Sequence, residues 1–370
     1  MTRWHWTALV VAMTGCGHSE PVSPPPFGTD SPFDAAPPAR LTLNAGADRS
    51  AGWLPDGTGF LYSAQQLGRT DHDLCLALLP PAGGRQRGLW CDVPGGADVT
   101  DAVESAAAGE DGRLAFVAAS GTINGASPGV QMIQISPFLD PTRAITLRAL
   151  PFTIGGTSIN GVTQLRWLGA DRLVFLGLRV VYRKLCFGCP IDTVAASHGV
   201  DLLPADGQAG PEQVPGTDLA TGVAALSADD IGYTLAGDSR VYRRNLTTGA
   251  VEVLHDFGAA GPARDIHVAG NRLVAVVGGR VAFGSDGELG PIQVDNGGLL
   301  RVVDLDSGGD LLVEVPGLLF RRPAMAPSGD RIVVEGYRLT LTEFVDPVTA
   351  EVHTDTTVSR ESDLFLLGGS

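Results

Sequence analysis

The chain has 370 residues, with 26 Lys and Arg against 41 Asp and Glu and a formal net charge of -15; its only lysine is Lys184. Phosphate binding needs clustered cationic side chains, so the charge balance argues against a nucleic-acid partner, while the acidic surplus favours solubility. Glycine and proline number 49 and 25, and charged residues make only 18% of the chain, which suits many short strands joined by tight turns in two average domains or one long all-β unit. The excess of Arg over Lys carries no functional reading of its own, since codon usage produces the same bias.

The N-terminus "MTRWHWTALVVAMTGCGHSEP" places Arg3 before an apolar run from Trp6 to Met13 and then small residues, the layout of a secretory signal. The run is shorter than the ~20 apolar residues that span a bilayer. "MTGC", ending at Cys16, resembles the lipobox of bacterial lipoproteins, although Met13 replaces the usual Leu. That resemblance implies a signal peptide over residues 1–15, lipidation of Cys16 and a membrane anchor. With Gly17 in place of Asp, it implies delivery to the outer membrane, facing the periplasm or the cell surface. A soluble exported protein with a free Cys16 thiol is the alternative. The proline-rich stretch from Gly17 to Arg40 reads as a semi-extended linker, so that residues 16–40 are spacer and residues 41–370 a single domain.

Beyond the linker one pattern returns: an apolar strand, a turn rich in Asp and Gly, and a second apolar strand. The copies are "GWLPDGTGFLYSA" at Gly52, "AAGEDGRLAFVAAS" at Ala107, "LRWLGADRLVFLGL" at Leu165, "VAALSADDIGYTLAG" at Val223, "DIHVAGNRLVAVVGG" at Asp265 and "RPAMAPSGDRIVVEG" at Arg322. Spacings of roughly 40 to 60 residues are those of propeller blades. A second hairpin follows most copies, as at Ser239 and Leu299, which predicts four-stranded antiparallel blades. In the first turn Pro55 fixes φ, Asp56 can bond the backbone two residues on and Gly57 can take positive φ. The apolar runs that follow the turns predict central strands covered on both faces.

"GWLPDGTGFLYS" and "RRPAMAPSGDRIVV" resemble the repeat of TolB-like β-propellers, relatives of the WD-repeat class. The resemblance spans about Arg40 to Leu367 and implies an all-β propeller in the cell envelope. The α/β domain that precedes the propeller in TolB has no counterpart between linker and repeats, so TolB's partners are not carried over. Six blades are expected. The chain ends on "SDLFLLGGS", the third strand of a blade, and "ARLTLNAG", Ala39 to Gly46, is expected to supply the fourth and seal the ring. A seventh blade is the alternative if "GRVAFGSDGELGPIQV" from Gly279 forms a sheet of its own.

The five cysteines sort as Cys16 plus two pairs. Cys75 and Cys91 flank the turn "PPAGGR" and face each other across a hairpin, where export favours a disulfide over buried thiols. Cys186 and Cys189 form a Cys-x-x-Cys, read first as a structural disulfide, with a redox dithiol or half a zinc site as alternatives. A second ligand pair for zinc and a thioredoxin-like βαβ setting are both missing.

No serine-nucleophile elbow, phosphate loop or dinucleotide fingerprint occurs. "GDSR" at Gly237 reads as a hairpin turn, and so does the acidic set Asp304, Asp306 and Asp310, with a calcium loop as the alternative, whose full spacing it lacks. His72, His255, His267 and His353 read as scattered strand or surface residues. No cofactor, no metal and no catalytic set are expected. The expectation is thus a monomeric, non-catalytic scaffold, anchored to the membrane through Cys16, that binds an envelope protein or peptide. Its contacts would fall on two insertions: Arg179 to Gly199, with the basic residues Arg179, Arg183 and Lys184, and the Thr-rich Tyr337 to Arg360. A propeller hydrolase or lyase, with catalytic groups converging on the central channel, is the alternative.

Overall fold

The computed structural model describes residues 38–368 except 43–45, 66–71, 80–86, 93–99, 122–129, 138, 151, 155–156, 185–190, 279–280, 287–289, 296, 346 and 360–361. The signal peptide, Cys16, Cys186 and Cys189 lie outside the described residues. No helix among the described residues is long and apolar enough to cross a membrane.

Each repeat folds as an antiparallel sheet, and six such sheets form a six-bladed β-propeller. Their innermost strands are Asp48–Trp53, Thr100–Ala108, Thr157–Leu168, Ala220–Ala225, Ala263–Ala269 and Leu318–Met325, for blades 1 to 6. The second strands carry the apolar runs. Leu114 to Ala118, Leu173 to Phe175 and Leu273 to Val276 are fully buried, because successive side chains face the blade on either side. The buried residues group into six clusters, each shared by two neighbouring blades. One of them joins Trp53 and Phe60 of blade 1 to Val333 and Leu364 of blade 6, so the ring is closed.

The chain ends seal that seam as expected. Ala39–Arg40 pairs with Asp363–Gly368, the third strand of blade 6, and the Leu41 amide donates to the Leu364 carbonyl at 2.7 Å. Arg40 adds an ion pair to Asp363 at 2.6 Å. The seventh blade does not form. Val281–Asp286 and Gly290–Asp295 are a two-stranded hairpin inserted between the second and third strands of blade 5, which pair directly with each other as Arg272–Val277 and Leu299–Asp304.

The turn residues do what their chemistry predicts. Asp56 Oδ1 accepts from the Thr58 amide at 3.0 Å and its hydroxyl at 2.7 Å, while Gly57 sits at φ 69°. Asp56→Ala should therefore cost up to about 1 kcal/mol in chemical denaturation and leave the fold intact.

The arginines that follow these turns have a role that composition did not reveal. Each reaches the turn carbonyl of the next blade: Arg113 to Ala170, Arg172 to Ala228 at 2.5 Å, Arg272 to Gly329 at 2.8 Å and Arg331 to Gly57 at 3.0 Å. Arg113 and Arg331 also lie over the Trp167 and Trp53 rings. A guanidinium can stack and donate at once, which an ammonium does poorly. Arg331→Ala, which opens the latch across the seal between blades 6 and 1, should lower stability by about 1–2 kcal/mol, with Arg331→Lys recovering only part in thermal unfolding.

Candidate site in the central channel

All six inner strands carry a one-residue β-bulge midway along the channel. In blades 3, 5 and 6 the bulge holds a non-glycine residue at positive φ: Gln164 at 53°, Asp265 at 47° and Arg322 at 44°. Such backbone is costly and persists where surrounding contacts fix it. Here the contacts are the side chains themselves, which meet across the channel.

Asp265 is the hub. It accepts from Gln164 Nε2 at 2.8 Å, from Arg321 Nε at 2.5 Å and from the Arg322 amide at 3.2 Å. Burial opposes its ionisation, yet the charge and hydrogen bond of Arg321 prevail and hold the carboxyl below its usual range. Gln164 spends its oxygen on the Val223 amide at 3.0 Å, so blades 3, 4, 5 and 6 are tied through one network. Arg322 in turn grips the fully buried Glu335 with both carboxylate oxygens within 3.2 Å, and Tyr337 donates to the same carboxylate. The charge of Glu335 raises the Arg322 pKa, and burial with that charge pushes the Tyr337 phenol up to about 12.

This network floors an upper cup of about 250 Å³, lined by His198, Arg264, Asp265, Arg321 and Arg322 with Thr163 and Thr221. Two residues further along the same strands, Arg166 and His267 line a lower cup of about 300 Å³ with Trp53, Trp167 and Met325. His267 accepts from the Met325 amide through Nδ1 at 3.3 Å, and burial, with Arg166 nearby, pushes its pKa down to about 3. Burial likewise draws Arg166 down to about 10. Unfolded His267 takes up a proton near pH 6.5 and folded His267 only near pH 3, so this residue supplies stability above pH 6.5 that is lost as pH falls through that window. The slope should be at most ~1.4 kcal/mol per pH unit, reduced by the cup's water, and smaller in His267→Gln by denaturation at a series of pH values.

The expected partner-binding residues separate. Arg179 is buried, its guanidinium bonded to Asp201 at 2.6 Å and to the Gly177 carbonyl at 3.0 Å. Burial raises the Asp201 pKa against the pull of Arg179. A Cβ at Gly177 would lie 2.2 Å from Asp201 Oδ2, which is why the apolar run "RLVFLGL" carries a glycine there. Arg183 and Lys184 lie beyond, on a hairpin in which Arg172–Lys184 pairs with Ile191–Pro204 from Arg172↔Pro204 to Lys184↔Ile191. The insertion thus continues blade 3 upward as a ribbon. The second insertion does the same on blade 6, where Arg331–Val345 outruns its sheet and pairs with Val352–Val358. With the blade 5 hairpin, three extensions rise from the end of the ring on which the upper cup lies.

The other motifs are accounted for locally. Cys75 and Cys91 are directly paired across the hairpin and joined by a disulfide. "GDSR" is the turn between the second and third strands of blade 4, with Asp238 bonded to Arg240 and Tyr242 and Ser239 to Asp256. Asp304 caps its own turn through Ser307, Asp306 accepts from Asn271 and Asp310 from Arg301. Among the described residues, no three His, Cys, Asp or Glu side chains are placed to hold a metal ion.

Fold and channel define a six-bladed propeller with a polar plug. The chain matches no protein-family model and no curated protein sequence. Its fold is similar to that of a gluconolactonase from Xanthomonas campestris, with a TM-score of 0.51 at 16% identity, covering 90% of this chain and 89% of that one. It is also similar to TolB from Acinetobacter baumannii, at a TM-score of 0.42 and 12% identity over 88% of this chain and 64% of that one. A luciferin-regenerating enzyme gives a TM-score of 0.49 at 14% identity over 90% and 95% of the two chains. At these identities the likeness is one of fold.

Proposed function

We propose that this chain is an exported lipoprotein, anchored through Cys16, whose propeller is a non-catalytic scaffold binding a protein or peptide of the cell envelope. The observation that carries the binding reading is the commitment of the channel's acidic groups: Asp265 is held by Gln164 and Arg321, and Glu335 by Arg322 and Tyr337. A general acid or base needs a proton-exchanging group facing its substrate. Here both carboxylates face arginines, and Asp265 joins blades 3, 5 and 6. The extended hairpins above the ring offer the contact surface, since loops on a rigid scaffold usually carry recognition. The lipobox-like "MTGC" and proline-rich spacer supply the anchor and the reach.

Two measurements test the proposal. Labelled fatty acid should enter the intact chain and not Cys16→Ser, which should leave the membrane fraction; equal labelling removes the anchor. Cross-linking in envelope extracts should capture a partner that is lost when the blade 3 hairpin is shortened to a tight turn between Val181 and Ala195, a directly paired position above the buried Arg179. Identical partner sets for both chains would remove the hairpin as the contact.

A further inference from the structure

The upper cup has a chemistry that the hairpins' partner does not explain. In a chain of net charge -15, three arginines, Arg264, Arg321 and Arg322, line one small cavity together. Two carboxylates stand against them: Asp265, which lines the cup and is engaged by Gln164, Arg321 and the Arg322 amide, and the buried Glu335 outside the lining, held by one nitrogen of the Arg322 guanidinium. His198, partly exposed on the wall, is kept from protonation by burial and by the nearby Arg179, so it presents a neutral ring with one N–H donor. Thr163, Gln164 and Thr221 also line the cup, beside Leu176 and Ala220, with the Thr221 hydroxyl donating to the Ala263 carbonyl at 3.1 Å.

We infer that the upper cup is a binding site for a compact oxyanion, a carboxylate- or phosphate-bearing small molecule held by Arg264, Arg321 and Arg322. Guanidinium forks match carboxylate and phosphate oxygens, and such charge-assisted bonds are strong where water is scarce. A cavity of about 250 Å³ is below the range of drug-sized pockets, which selects a small metabolite over a polymer. The floor is built to stay in place, because strained bulges and the Asp265 network fix Arg321 and Arg322 before any ligand arrives. Such preorganisation lowers the cost of binding. The site stands on the channel alone, whether or not a hairpin holds a protein.

Isothermal titration calorimetry of the full chain at low ionic strength, with inorganic phosphate, citrate and glycerol as separate titrants, tests this. Saturable binding of citrate or phosphate is expected, none of glycerol, and weakening as salt is added. The tighter of the two anions identifies the class. Arg264→Gln should weaken binding at least ~10-fold, while Arg143→Gln, on the exposed turn of blade 2, should leave it unchanged. Absence of binding by both anions, or equal loss in the two variants, would overturn the site. Should Arg264→Gln fail to fold, the His198 ring resonances of the intact chain serve instead. They should shift on saturation with the bound anion, and static resonances would place the anion elsewhere and overturn the assignment.

Discussion

Asp265→Ala is expected to destabilise the propeller by about 3–5 kcal/mol, the cost of breaking a buried charged pair by removing one partner. Asp265 is 3% exposed, and its loss would take from Arg321 its 2.5 Å partner and from Gln164 its acceptor at the centre of the ring. Alanine also tolerates φ 47° less well than aspartate, which adds backbone strain. Asp265→Asn keeps the shape and the left-handed tolerance, so its loss should be smaller. Differential scanning calorimetry of the three chains would show this order. Equal melting temperatures would mean that the channel groups do not hold the blades together.

A comparable loss, about 3–5 kcal/mol, is expected for Arg179→Ala, which leaves Asp201 fully buried without its cation. The double variant Arg179→Ala with Asp201→Ala should recover part of that, because no lone charge remains in the blade. Arg183→Ser and Lys184→Ser, farther up the ribbon, should leave stability within ~0.5 kcal/mol of the parent. Urea denaturation would separate the two groups. Loss of partner capture in Arg183→Ser with stability unchanged would assign recognition to the ribbon, apart from the buried pair below it.

Much of this architecture was legible in the chain. The alternation of apolar run, Asp-Gly turn and apolar run marks the blades, because each turn must close a hairpin and each central strand must be covered on both faces. The closing strand was visible as a blade that ended one strand short, and the Cys75–Cys91 bond as two cysteines equidistant from a turn. The inserted hairpin at Val281–Asp286 offers a seventh blade only as the alternative in sequence, because its pattern is that of any strand pair. Only the direct pairing of Arg272–Val277 with Leu299–Asp304 excludes it from the ring.

The channel was far less legible. Gln164, Asp265 and Arg322 come from strands about 60 to 160 residues apart in sequence, and nothing local marks a bulge or a positive φ at a polar residue. The arginine latches did leave a signal, the repeated "DGR", "ADR", "GNR" and "GDR" after the turns. Composition alone disguised it as a bias, because the acceptor is a backbone carbonyl on the next blade. Sequence proximity groups Arg179 with its basic neighbours, whereas its burial is set by Asp201, which pairs from the returning strand.

The binding reading depends on the channel groups being joined to one another instead of poised for chemistry. A double-mutant cycle on Asp265 and Arg321, with Asp265→Asn, Arg321→Gln and the pair together measured by denaturation, tests that claim most directly. A coupling energy of about 1.5–3 kcal/mol is predicted for a buried, charged contact at 2.5 Å. Effects that add to within ~0.5 kcal/mol would contradict it, leaving Asp265 as a carboxylate available to a substrate.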